Sequence, residues 1–221
     1  MNTNAKIALV LSGAIVIAVI AFVIVAIVQA QQSLPQSQHN SDTAPVSAIK
    51  EGTHVLDDAG PGAVTVVEFL DFECEACGAF YPVVESLRQE FSGQMTYAVR
   101  YFPLPGHFNS KNAAVAVEAA AQQGQFEPMY QRMFQSQPEW GEAQESQAPL
   151  FRQFAAELTL DMSKYDAAVA DPATLKRVES DFEDGVALGV SSTPTFFVND
   201  LMIEVTNVGD LRRAIEAELN R

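Results

Sequence analysis

The only two cysteines of this 221-residue chain, Cys74 and Cys77, stand two residues apart in the stretch FECEACGAF. Such a pair serves as a redox couple, as half of a zinc site or as a structural staple. A structural zinc ion takes four Cys or His ligands. The chain adds only His39, His54 and His107, widely separated in sequence, so no metal site is expected. A disulfide closing so short a loop constrains little of the unfolded chain, because that stabilisation grows with loop length. Redox chemistry remains, and two thiols perform it without a cofactor.

The surrounding residues bear on that chemistry. Cys74 follows an apolar β-branched run and opens a stretch of helical periodicity. A helix N-terminus presents unpaired N–H groups and partial positive charge, which stabilise the thiolate that attacks disulfides. Cys77, one turn further in, is near enough to close a ring and is expected to be more buried, which divides the pair into an attacking and a resolving thiol. Glu75 stands directly beside Cys74. Its carboxylate either opposes the thiolate and makes the couple less oxidising, or points into water and is screened. Glu68 interrupts the apolar run VTVVEFL; it lies either at an exposed strand end or inside, as a proton acceptor. Pro82 falls within the helix and should kink it, and Pro194 in SSTPTFF sits where a cis X-Pro turn can form.

These residues need elements to hold them. GAVTVVEFL (62–70) reads as a buried strand. Phe80, Val83, Val84, Leu87 and Phe91 recur at helical spacing up to Gly93. MTYAVRYF (95–102) reads as a second strand, giving a βαβ unit with a right-handed crossover. Residues 108–188 are helical in pattern throughout, with Pro172 at a helix start. TPTFFVND (193–200) and LMIEVT (201–206) form two strands joined at an Asn-Asp turn. A helix over 209–219, capped by Asp210, closes the order β-α-β, helical block, β-β-α.

The folded domain is expected to span 54–221. Ahead of it, residues 31–53 are rich in Gln, Ser and Asn with two prolines and read as a disordered tether, reaching on the order of 25 Å. Residues 7–28 carry no charge, enough to cross a ~30 Å hydrocarbon layer. Segment 1–30 is therefore a transmembrane anchor or a cleaved signal, its length favouring the anchor. Lys6 precedes it and the next basic residue is Lys50. This places the N-terminus in the cytoplasm and the domain outside the cell membrane, where disulfides persist. All 28 acidic residues follow residue 30, against 12 of the 13 basic ones. That charge excludes nucleic acid as a partner.

Together, VVEFLDFECEAC, Pro82, RYFPLPGH and GVSSTPTFFVN resemble the DsbA-like thiol–disulfide oxidoreductases of the thioredoxin superfamily, over about residues 54–220. The resemblance implies an α/β thioredoxin fold with a helical domain inserted at about 108–188, and membrane-anchored forms are familiar in it. It implies Cys74 as the solvent-facing nucleophile and Cys77 as the resolving thiol. It implies Thr193 and Pro194 as a cis-proline loop that pairs with an extended substrate, and Glu68 as a buried acid that moves the inner cysteine's proton. His107 matches a recurring position after the second strand, with either a catalytic or a merely structural role. The family's strong oxidants carry Pro-His between the cysteines. Glu75-Ala76 here implies a less oxidising couple.

The expected activity is therefore disulfide exchange on unfolded or partly folded exported proteins, most readily in the direction of oxidation. A membrane protein would reoxidise the pair. The same residues also serve reduction or isomerisation, and a tethered peptide-binding module with an incidental cysteine pair is the alternative from another class.

Overall fold

A computed structural model describes residues 47–221. The expected membrane segment at 7–28 and the tether up to residue 46 lie outside the described residues. Strand β1 (His54–Asp57) and strand β2 (Val64–Leu70) precede helix α1 (Glu75–Glu90) and strand β3 (Met95–Tyr101). Five helices follow: α2 (Ser110–Ala121), α3 (Phe126–Trp140), α4 (Ala148–Glu157), α5 (Met162–Ala170) and α6 (Pro172–Ala187). Strands β4 (Thr195–Val198) and β5 (Leu201–Ile203) and helix α7 (Val208–Leu219) complete the chain. This is the thioredoxin order with a helical insertion, as the sequence motifs implied.

The sheet order is β1-β3-β2-β4-β5, with β2 and β3 parallel and every other neighbour antiparallel. Alternation along β2 divides its residues between two cores. Val66 and Leu70 pack with Val84 and Leu87 of α1 and Leu211 and Ile215 of α7. Val67 and Phe69 pack with Ala98, Phe197 and Val190 on the opposite face. Glu68 shares its face with Val66 and Leu70, so the pleat alone aims it beneath α1, the helix that carries the cysteines.

Helix α6 covers the other face through charge as well as apolar contact. Arg100 of β3 and Asp181 of α6 are both fully buried and paired at 2.7 Å. A buried charge persists only when paired and hydrogen-bonded, and Arg100 also donates to the Ala48 carbonyl at 3.2 Å.

Four details differ from the sequence reading. Residues 47–53, expected as tether, are part of the fold: Ala48 is fully buried, and its N–H donates to Asp200 at 2.9 Å. The partners that hold it, Asp200 and Arg100, are remote in sequence, so local composition could not reveal them. Strand β1 was not expected; four residues at a sheet edge leave little periodicity to read. Strand β5 ends at Ile203, short of Thr206. Asp210 is not the N-cap of α7. Asn207 is, and the Asp210 carboxylate at the third helical position accepts from the Asn207 backbone N–H in a capping box. The turn at Asn199 and Asp200 is as expected: both have positive φ, 49° and 64°, the geometry that twisted hairpins favour.

Candidate active site

Cys74 is the N-cap of α1, with extended backbone angles (φ −69°, ψ 119°). This is the position where Ser or Asp normally accepts hydrogen bonds from the second and third N–H groups of a helix. Here a sulfur occupies it. As a thiolate it becomes the acceptor for the N–H groups of Ala76 and Cys77, and both help to lower its pKa. The largest cause is the thiol of Cys77 donating to it; burial opposes; the Thr193 hydroxyl assists. The outcome is a Cys74 thiol held at about 5, from an ordinary 9.0.

The cis peptide bond lies between Thr193 and Pro194. It brings the Thr193 carbonyl to Cys74, whose thiol donates to it at 3.4 Å. The Thr193 hydroxyl is buried without a partner among the described residues in this dithiol state. It is thus free to turn its proton to the sulfur once the sulfur is charged.

Cys77 is fully buried, whereas Cys74 keeps 7% of its surface exposed. Burial, followed by its donation to Cys74 and the nearby Glu68, pushes the Cys77 thiol well above its ordinary value. The two sulfurs are therefore chemically unequal: one, nearly buried with only an edge exposed, ionises easily, and the other stays protonated within.

Glu68 is 2% exposed and accepts a hydrogen bond from the Tyr97 hydroxyl. Of the two placements open to it, the interior is the one found. Burial raises its carboxyl to about 8 from an ordinary 4.5, although the Tyr97 bond works the other way. Glu68 is consequently a protonated acid near neutral pH, under the inner cysteine.

Glu75 is exposed. Its carboxylate bears on Glu142, whose own pKa it raises by hydrogen bonding. Cys74 ionises readily in spite of it. The exposure of Glu75 favours the screened of the two roles weighed from the sequence.

Three further residues organise this end of the molecule, and the sequence pattern did not single them out. Asp71 is buried and accepts from the N–H groups of Glu73 and Leu104, both at 2.9 Å, and from His107 Nδ1 at 2.6 Å. It ties the loop before α1 to the loop after β3. Glu73, 4% exposed, accepts from the Asn109 N–H at 2.6 Å and places a carboxylate at the start of α2. Gln137 of α3 donates to the carbonyls of Phe72 and Cys74 at 2.7 and 2.8 Å. It fits because residue 78 is glycine: a Cβ there would lie 1.9 Å from Gln137 Oε1. The helical insertion thus clamps the cysteine turn directly. Only the glycine after CEAC hinted at a close approach, and it did not say by what.

The sequence profile of the family described as Thioredoxin matches residues 60–217. The chain belongs to this family. Its fold is that of the DsbA-like oxidoreductases. It superposes on alpha-DsbA1 of Wolbachia pipientis with a TM-score of 0.68 at 20% identity, covering 78% of this chain and 93% of the other. For oxidised BdbD of Bacillus subtilis the values are 0.68 and 24%, over 79% and 97%. For a thioredoxin-like oxidoreductase of Silicibacter pomeroyi DSS-3 they are 0.66 and 23%, over 81% and 99%. At these identities the likeness is one of fold.

Curated relatives carry a different name. The Na(+)/H(+) antiporter NhaA of Herminiimonas arsenicoxydans is 40% identical over 135 residues, 61% of this chain and 20% of that protein. NhaA 1 of Mycobacterium sp. (strain KMS) is 35% identical over 154 residues, 67% and 24%. The chain spans about a fifth to a quarter of the length of these relatives. Ion transport is said of those whole proteins. Among the described residues here, no helix is long and apolar enough to cross a membrane.

Proposed function

We propose that this protein is an extracytoplasmic thiol–disulfide oxidoreductase, working through Cys74 and Cys77 chiefly to form disulfides in exported polypeptides. The observation that carries the reading is the asymmetry of the pair: an N-cap sulfur that ionises at about 5 beside a fully buried sulfur that resists ionisation.

In the disulfide state a substrate sulfur attacks Cys74, the Cys74–Cys77 bond breaks, and Cys77 leaves with the electron pair. Glu68, protonated beneath the site, serves as the proton source for that inner sulfur. A second substrate thiol then attacks the mixed disulfide and releases Cys74 as its stabilised thiolate. The Thr193 carbonyl and Pro194 offer an extended substrate its backbone partner.

A thiolate at about 5 favours the dithiol state and hence oxidation of the substrate. It lies between the ~3.5 of a strong oxidant and the ~7 of thioredoxin, which supports a couple of intermediate potential. A membrane partner that accepts the electrons is part of the proposal, as is placement outside the cell membrane through the apolar segment 7–28 after Lys6. Reduction or isomerisation would use the same atoms in reverse. Equilibration with glutathione decides between them; a potential near that of thioredoxin would refute net oxidation. Cys77→Ala should trap mixed disulfides through Cys74, and Cys74→Ser should trap none and lose all exchange. Full activity in both variants would leave only a peptide-binding role.

A further inference from the structure

The groove at Cys74 contains a side chain that the exchange chemistry above leaves idle. His107 lines this groove of about 330 Å³ together with Cys74, and its side chain is 32% exposed. Its Nδ1 lies 2.6 Å from Asp71 Oδ2. That oxygen also receives the Leu104 N–H, and the other oxygen of Asp71 receives the Glu73 N–H. Backbone N–H groups only donate, so Asp71 is held as an acceptor. The His107 nitrogen facing it must therefore carry a proton. This fixes the tautomer: Nδ1–H is bound to a buried carboxylate, and the Nε2 lone pair is left for the groove.

The remaining titratable groups lining the groove are Glu73, Glu75 and Glu142, all carboxyl groups. The substrate sulfur enters mainly as the neutral thiol. Its ordinary pKa near 8.5 leaves only a few per cent ionised at neutral pH. Among the described groups lining the groove, the imidazole of His107 is ordinarily a stronger base than the carboxylates and lies nearer the working pH, where general-base catalysis is most effective.

We infer that His107 is the general base for the incoming thiol, with Asp71 as its positioning residue. The inference rests on the oxidoreductase reading. As the substrate sulfur bonds to Cys74 Sγ, its proton passes to Nε2, and the Cys74–Cys77 bond breaks with its electron pair going to Cys77. In the reverse direction the imidazolium returns the proton to the departing substrate sulfur. Nothing outside the two reactants is consumed. Burial works against a charged His107, but the Asp71 carboxylate and the acidic surroundings outweigh it and hold the imidazole above its ordinary value. That favours the protonated product of the transfer.

The test is the second-order rate constant for reduction of the disulfide form by 2-mercaptoethanol, from about pH 5 to about pH 9, in the wild type, His107→Gln and His107→Asn. The wild-type rate should level off once His107 is neutral, well below the pKa of the thiol. Both variants should instead rise about tenfold per pH unit up to the pKa of the thiol, following the thiolate alone. At neutral pH they should be slower by about 10²-fold. Variants with the wild-type profile, whether at full rate or slowed equally at every pH, would overturn the inference, because a structural role changes the rate and not its pH dependence. A wild type that exchanges no thiols at all would overturn the oxidoreductase reading itself.

Discussion

Reduction of the Cys74–Cys77 disulfide changes the stability of the domain by an amount that depends on pH, and the structure sets its sign. In the folded dithiol Cys74 ionises at about 5, against 9.0 for an ordinary thiol. A group whose folded pKa is depressed contributes stability that is complete above the unfolded value and lost as pH falls through the folded one. At pH 7 the thiolate has gained two pH units at about 1.36 kcal/mol each, or about 3 kcal/mol. Near pH 5 less than about 0.5 kcal/mol of it survives. Cys77 is pushed upward, so it stays protonated in folded and unfolded chains alike across this range. The disulfide form has neither thiol to titrate, and Glu68, present in both forms, drops out of the difference to first order. The dithiol should therefore gain on the disulfide by about 2 to 3 kcal/mol between pH 5 and pH 7. By linkage, about 3 kcal/mol makes a two-electron couple about 60 mV more oxidising at pH 7. Urea unfolding of both forms at the two pH values measures the gap. A gap independent of pH, or one that moves in favour of the disulfide as pH rises, would refute the thiolate argument.

Four other substitutions test the supports of the site. Glu68 has a raised folded pKa of about 8 against 4.5, so it costs the native state increasing stability over that window, up to about 5 kcal/mol. In the disulfide form Glu68→Gln should remove this loss, and parallel wild-type and variant curves of stability against pH would contradict its burial. Gly78→Ala should displace the Gln137 amide from the carbonyls of Phe72 and Cys74 and cost about 1 to 3 kcal/mol. Gln137→Ala should cost a similar amount, and thermal unfolding of the double variant should fall well short of the sum, because both changes break one clamp. Glu75→Gln should move the ultraviolet thiolate titration of Cys74 by less than about half a pH unit; a larger fall would return Glu75 to the role of tuning residue.

Much of the site was legible because its chemistry is local in sequence. Cys74 and Cys77 sit at a strand-to-helix junction, and the period of two along β2 followed by the helical period of α1 places that junction without tertiary information. Pro172, the Asn199-Asp200 turn and the boundaries of the helical block were readable for the same reason: turn and cap chemistry depends on a few consecutive residues. Asp71, Glu73 and Gln137 were not legible. An acid in a loop and a glutamine on a helix are ordinary surface residues by pattern, and their partners here, His107, Asn109 and the Cys74 carbonyl, lie some 30 to 60 residues away. The same holds for Ala48, whose partners are Asp200 and Arg100.

The sequence alone therefore determined the element order and singled out the cysteine pair on which the proposed exchange rests, since a lone C-x-x-C after a β-branched strand constrains both. What it left undecided was the electrostatic balance of the pair. Whether Glu75 or the helix N-terminus governs Cys74, whether Glu68 is wet or dry, and which nitrogen of His107 is free are questions of burial and distance. A carboxylate in water is screened, while the same group beneath a helix shifts by several pH units. Only the packing of β2, α1 and the helical insertion assigns each acid to one side of that boundary.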